Sequence, residues 1–391
     1  MDRATGPNPW AVLAGLTLGV LVTNGFARFG YGLILPDMRA DLGWTYAQAG
    51  WLNTANALGY LLGAVATMLL LRRIGASALF AAGMATTVVA LLATGLGTAL
   101  WWQSLTRFAA GVTGALSFST AGALAAGLWP LDARRNALGI AILFGTGGGS
   151  AILLAGATVP PALAALGPGG WPWAWVGIGA ASALCLPMGL WAAWVTRVGA
   201  QVPGAAPVPL PVARMWRELV GYASFGMGYI VYLTFLSAVM VARAAEVAEI
   251  AATWALLGAC IAASPFLWRG VFARHADGRP LAMVLAAIAA GSALPVLWPG
   301  SAGTVLSAAV FGAAVFMAPG AVTNFVRQNL PPAAWGRAVA LFTVLFAAAQ
   351  TLGPWAAGLM GDAAGDIGVG LLAASGVLLA GALVALGQRR L

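Results

Sequence analysis

Two arginines sit where a charge is expensive. Arg28 lies within Thr23-Asn24-Gly25-Phe26-Ala27-Arg28-Phe29-Gly30-Tyr31-Gly32 and Arg107 within Thr106-Arg107-Phe108-Ala109-Ala110-Gly111, each inside a long apolar run. A charged residue at the centre of a membrane-length helix costs about 2.5–3.5 kcal/mol on insertion scales, so such residues mark function or a specific partner. With a helical rise of about 1.5 Å per residue, Arg28 lies about 12 Å inward from Pro36 and Arg107 about 9 Å inward from Trp101. Pro36 ends its span and Trp101 begins its own on the same side of the membrane, so the two guanidiniums sit at similar depth. No Asp or Glu falls at that depth in any apolar run, and Glu218, Arg269, Arg327 and Arg337 fall at span ends. A guanidinium is a rigid fork of donors suited to carboxylate, sulfonate or phosphate. The chemistry expected is therefore capture of a small anion, with Arg28 as the main anchor and Arg107 assisting. The competing role is structural: donation to backbone carbonyls at turns loosened by Gly25, Gly30 and Gly111.

Polar side chains expected to face the same site are Asn24, Tyr31, Asn53 and Asn56 in the first half of the chain, and Tyr229, Tyr232, Thr253, Asn324 and Gln350 in the second. Any one of these residue types inside a membrane helix is more often a helix-packing hydrogen bond than a ligand. Tyr229 and Tyr232 are three residues apart and share one helix face. Gly145-Thr146-Gly147-Gly148-Gly149 resembles a phosphate loop only in glycine content, since no strand precedes it and no Gly-Lys-Ser/Thr ending follows. Close helix packing, with flexing during a conformational change, is the role expected there. His275 is the single histidine and falls in the loop Ala273-Arg274-His275-Ala276-Asp277-Gly278-Arg279; Cys185 and Cys260 lie in apolar runs. No Ser/His/Asp set, paired carboxylate, metal cluster or cofactor motif is present at membrane depth, so an enzyme is not expected, nor any cofactor or metal.

The elements that must position these residues follow from composition. With 61% hydrophobic and 7% charged residues, against about 25% charged in soluble domains, the chain reads as a polytopic membrane protein. Cutting the apolar runs at charges, Pro and Gly gives twelve spans of the roughly 20 residues a bilayer requires: 10–35, 47–71, 76–98, 101–127, 137–161, 171–196, 218–242, 249–268, 281–298, 301–326, 337–360 and 367–388. The first reads as a retained helix rather than a cleaved signal. All 19 basic residues are arginine; fifteen fall in loops and termini on one side, against Arg39 and Arg243 on the other. The positive-inside rule then puts both termini in the cytoplasm, and the net charge of +9 reflects topology rather than nucleic-acid binding. Gln201-Val202-Pro203-Gly204-Ala205-Ala206-Pro207-Val208-Pro209-Leu210-Pro211 reads as an extended linker. It divides the chain into a six-helix bundle at 1–196, a linker at 197–217 and a second bundle at 218–391. Phe225-Gly226-Met227-Gly228-Tyr229 weakly echoes Phe29-Gly30-Tyr31, as internal repeats of secondary transporters do.

On these residues the chain resembles the major facilitator superfamily, and its YbfB/YjiJ-type branch in particular. The resemblance rests on Ala27-Arg28-Phe29-Gly30-Tyr31, Leu35-Pro36-Asp37-Met38, Phe225-Gly226-Met227-Gly228-Tyr229-Ile230 and Gln350-Thr351-Leu352-Gly353-Pro354 with Gly358. It implies an all-α integral membrane protein of twelve transmembrane helices in two pseudo-symmetric bundles, with spans one and four lining a central cavity. Arg107 to Gly111 matches the superfamily's Arg-x-x-x-Gly motif. Arg72-Arg73-Ile74-Gly75 occupies the place of the loop motif Gly-x-Leu-Ala-Asp-Arg-x-Gly, with arginine where its aspartate belongs. Gly145 to Gly149 takes the place of a span-five glycine–proline motif without the proline, while Pro354 should kink span eleven and free a carbonyl near residue 350.

Together these readings describe an alternating-access transporter of a small organic anion in a bacterial inner membrane, working as a monomer with a proton or counter-anion as coupling partner. Arg72, Arg73, Gly75, Gly145, Gly149 and Pro354 are its expected conformational elements. The alternatives are an exporter of hydrophobic drugs, which usually needs the buried acid and proline motif missing here, and a facilitator or anion exchanger.

Overall fold

The computed structural model describes residues 7–129, 131–196 and 209–391. The linker expected at 197–217 therefore lies, as far as residue 208, outside the described residues. Among the described residues, twelve helices are long and apolar enough to cross a membrane: spans 1 to 6 are Pro9–Leu42, Tyr46–Ile74, Ala76–Thr94, Leu100–Ala126, Arg134–Leu166 and Trp171–Val195, and spans 7 to 12 are Val212–Ala242, Val247–Arg274, Arg279–Leu297, Ser301–Asn329, Pro332–Ala364 and Ile367–Leu386. Each matches an expected span, and most run several residues beyond it because the helices continue past the apolar runs. With an even number of crossings, both ends of the chain lie at one end of the bundle, called here the terminal end.

The extensions change one charge assignment. Span 7 starts directly after Pro211, so Glu218 lies inside it rather than at its edge. Glu218 is 1% exposed and its Oε2 has no partner among the described residues. The chain thus holds a buried carboxyl after all, near the terminal end and well short of the arginine level.

Four spans are interrupted, and the interruptions place the polar groups. Span 1 is α-helical over Pro9–Val20, opens into a π-helix over Leu21–Phe29 and resumes as α-helix at Tyr31–Leu42. Span 5 has a π-turn at Ile142–Thr146, which contains Gly145. Span 10 breaks between Val315 and Ala318, and span 11 between Ala349 and Gly353. The last break has a simple cause: Pro354 lacks the N–H that would bond to the carbonyl of Gln350, and its ring crowds that carbonyl.

Spans 1–6 pack mainly among themselves, as do spans 7–12, and the two groups meet along spans 1 and 7, 2 and 11, and 5 and 8. The meeting is tightest between the arginine level and the end opposite the termini. A Cβ on Gly50 would lie 2.2 Å from the Pro354 carbonyl oxygen, and one on Gly358 would lie 2.4 Å from that of Tyr46. Spans 2 and 11 therefore touch backbone to backbone, which only glycine permits. Gly149 similarly lets span 5 approach span 8, its Cβ position being 2.9 Å from Gly258 O. At the far end the Asp362 carboxylate accepts from the N–H groups of Tyr46 at 2.7 Å and Ala47 at 2.8 Å. An anion at the first turn of a helix satisfies free N–H groups and the helix dipole together, so Asp362 latches span 11 onto the start of span 2.

Asp362→Asn keeps one acceptor oxygen and loses the charge. The expected result is roughly a tenfold shift toward the state open at this end, the scale of one charge-assisted hydrogen bond. Thiol labelling of a cysteine placed at Thr54, just inside the latch, should accelerate accordingly; an unchanged labelling rate would show that the latch carries no weight.

Candidate substrate site

The π-helical stretch of span 1 is the floor of the site. The Ala27 carbonyl lies within this stretch, and Arg107 Nη1 of span 4 donates to it. Arg107 is fully buried; its Nη2 donates to Asn53 Oδ1 at 3.4 Å, and its guanidinium lies 5.1 Å from the Tyr31 ring centroid and 5.4 Å from that of Trp175. Asn56 Nδ2 donates to the Arg107 carbonyl at 2.9 Å, and the Tyr31 hydroxyl to the Ala49 carbonyl at 2.7 Å. Arg107, Tyr31 and Asn56 thus form one network tying spans 1, 2 and 4. Arg107 reaches protein acceptors with two of its three nitrogens, leaving only Nε without a partner.

Arg28 is placed differently. It leaves the same π-segment toward span 11, where Nη2 donates to Gln350 Oε1, and its guanidinium lies 4.9 Å from the Tyr60 ring centroid. It is 5% exposed, and no ion pair among the described residues involves it. The Tyr229 hydroxyl of span 7 donates to the same Gln350 oxygen at 3.3 Å. Gln350 Nε2 is buried with no partner. A guanidinium and a hydroxyl therefore converge on the Gln350 side-chain oxygen between the two halves, while the other end of that amide, Nε2, keeps its N–H groups unused. The acceptor the two donors share is a neutral oxygen. Asn24, one turn before Arg28, is half-buried and makes no side-chain hydrogen bond among the described residues.

Arg107, Tyr31 and Asn56 stay in their own network beside the contact of Arg28 with Gln350, and Tyr232 and Asn324 are brought to neither. The Tyr232 hydroxyl bonds Ser307 Oγ at 2.7 Å and its ring stacks 3.9 Å from that of Phe311, so it belongs to the packing of span 7 against span 10. Sharing a face with Tyr229 was not enough, because three residues rotate a helix far enough to turn the second ring toward another neighbour. Asn324 Nδ2 donates to the His275 carbonyl at 3.1 Å, which puts it at the terminal end. Arg72 and Arg73 are exposed in the last turn of span 2 before Gly75, whose φ of +86° needs glycine; neither forms an ion pair among the described residues.

Sequence reasoning missed Tyr60 and Asp362. Tyr60 follows Asn56 by one helical turn on span 2, a spacing that could have recruited it. Nothing local announces Asp362, since its partners are more than 300 positions away. Tyr222, Phe225 and Tyr229 form a stacked column on span 7, with centroids 5.6 Å and then 4.6 Å apart, rising from near Glu218 to Gln350. Among the described residues no group of three or more His, Cys, Asp or Glu could hold a metal ion.

A profile described as "Uncharacterised MFS-type transporter YbfB" matches residues 20–386. Comparison with curated proteins finds no match. Among solved structures, a bacterial homolog of the human lysosomal transporter Spinster, in an inward-facing and unoccupied conformation, aligns with TM-score 0.68 at 18% identity over 98% of this chain and 96% of its own. The nucleoside transporter NupG, as a single-substitution variant, aligns with TM-score 0.71 at 13% identity over 96% of this chain and 99% of its own. These structures share the fold with this chain. The profile covers nearly all of it, and the chain belongs to the YbfB-type family of major facilitator superfamily transporters.

Proposed function

We propose that this transporter carries a small organic anion by alternating access, and that the anion binds at Arg28. The observation that carries the reading is the buried Arg28 guanidinium, whose hydrogen-bond acceptor is the neutral Gln350 Oε1 it shares with Tyr229, with no carboxylate beside it among the described residues. A buried cation without a counter-ion is costly, and a ligand that arrives with its own negative charge removes that cost when bound. Arg28 and Tyr60 belong to the first half and Gln350 and Tyr229 to the second, so such a ligand bridges the moving parts. Arg107 acts as the support that holds the π-segment of span 1 in shape.

The fifteen-to-two distribution of loop arginines supports a bacterial inner-membrane protein with cytoplasmic termini. With that orientation, the seal of spans 2 and 11 lies on the periplasmic side of Arg28, and the conformation is closed to the periplasm. A Spinster homolog of the same fold carries the description inward-facing. Coupling to a proton or a counter-anion fits this site, since the charge it needs comes with the substrate.

A thermal-shift panel on the detergent-purified protein tests the reading. Carboxylates, sulfonates and phosphate esters are compared with organic cations and neutral hydrophobic drugs. A ligand at 100 times its Kd adds about 2.7 kcal/mol of stability, which raises the melting temperature by several degrees. Stabilisation by anions is expected; stabilisation by drugs or cations alone would replace this reading with that of a drug exporter.

A further inference from the structure

At the terminal end, away from the substrate site, spans 7, 9 and 12 finish around an open groove of about 750 Å³. Its lining includes four arginines, Arg217, Arg279, Arg389 and Arg390, against one acid, Asp277. Asp277 is occupied by Arg279, with Nε 3.4 Å from Oδ2, so the groove keeps a surplus of positive charge. The basic segment is not a loose tail. Gln388 Nε2 donates to the carbonyls of Arg214 at 3.0 Å and Arg389 at 2.8 Å, Gly278 N–H donates to the Gln388 carbonyl at 3.1 Å, and Arg217 Nη1 donates to the Gly387 carbonyl at 2.8 Å. These bonds staple the chain after span 12 onto spans 7 and 9. They fix the backbone from which Arg389 and Arg390 project, and both side chains are exposed.

The surroundings distinguish a lipid from a dissolved anion. Trp216 lines the groove and is 49% exposed, with the Arg217 guanidinium 5.1 Å from its ring centroid. Leu383 and Leu386, also in the lining, are 66% and 55% exposed. A tryptophan at headgroup level, arginines beside it and bare leucines on the last turns of a membrane helix form a seat for a headgroup with its acyl chains. We infer that this groove binds the phosphate headgroup of an anionic phospholipid. The phosphodiester sits among Arg279, Arg389 and Arg390, and the chains run along Leu383 and Leu386 of span 12.

The test uses native mass spectrometry of the full chain released from detergent after incubation with phosphatidylglycerol or phosphatidylcholine. Arg389→Gln/Arg390→Gln is compared with Arg72→Gln/Arg73→Gln, which removes the same charge from another loop at the same end. Arg279→Gln serves as a second groove variant, and melting temperature verifies folding. Phosphatidylglycerol retention should fall about tenfold in both groove variants and stay near wild type in the Arg72/Arg73 variant. Phosphatidylcholine should be retained weakly by all, and inorganic phosphate should not displace the bound lipid. Equal losses in the two double variants, or equal retention of the two lipids, would overturn the site. Displacement by inorganic phosphate would overturn the lipid in favour of a soluble anion.

Discussion

Arg28→Gln is expected to abolish uptake while leaving the protein folded. The substitution removes the charge and the fork but keeps polar atoms near Gln350. Hydrogen bonds to charged groups contribute about 1.5–3 kcal/mol each. Losing two of them from an anion weakens binding by about two to four orders of magnitude at about 1.4 kcal/mol per decade. Stability should move little or upward, because the removed charge has no acid partner among the described residues and carries an uncompensated burial cost. That separation identifies the role. A structural arginine would take stability with it; a substrate anchor takes only binding. Arg28→Lys should fall in between, retaining the charge without the planar fork. Measured together, initial uptake rate and melting temperature check the prediction. Transport at wild-type rate in Arg28→Gln would remove Arg28 from the mechanism.

The second large effect is expected at Gly50. A Cβ there would lie 2.2 Å from the Pro354 carbonyl oxygen, 2.7 Å from its carbon and 3.2 Å from the Trp355 nitrogen. These are backbone atoms just after the break in span 11, and no rotamer change can relieve them. Overpacking costs about 1–3 kcal/mol where neighbours can yield; here they cannot. The state sealed on the Asp362 side should therefore lose population by about 100-fold or more. A state in which spans 2 and 11 separate pays no such penalty, so the protein should fold and remain trapped. Gly50→Val is accordingly expected to stop transport while holding Thr54→Cys open to thiol reagents added from the side opposite the termini. Gly50→Ala should give a milder version of the same shift. Normal uptake by Gly50→Val would show that this contact is not part of the cycle.

The sequence makes the architecture legible because membrane crossing imposes length and apolarity on every span. The break in span 11 is equally readable, since Pro354 acts through local covalent structure. What stays hidden is helix rotation. In a bilayer both the lipid-facing and the packed side of a span are apolar, so hydrophobic periodicity does not say which way Tyr229 and Tyr232 turn. The structure sends one to Gln350 and the other to Ser307. Depth alone likewise puts Arg28 and Arg107 together. Their different partners come from the π-helix of span 1, which turns the Ala27 carbonyl toward Arg107 and the Arg28 side chain toward span 11. Asp362 depends on the register of two helices distant in sequence, and Glu218 on how far a helix continues below its apolar stretch.

The most direct test is a structure of the protein with the anion that stabilises it most in the thermal-shift panel. The account predicts anion oxygens at about 2.8 Å from the Arg28 guanidinium nitrogens, with Gln350 turned so that Nε2 rather than Oε1 faces the ligand. An anion bound elsewhere, with Arg28 still donating to Gln350 Oε1, would contradict it.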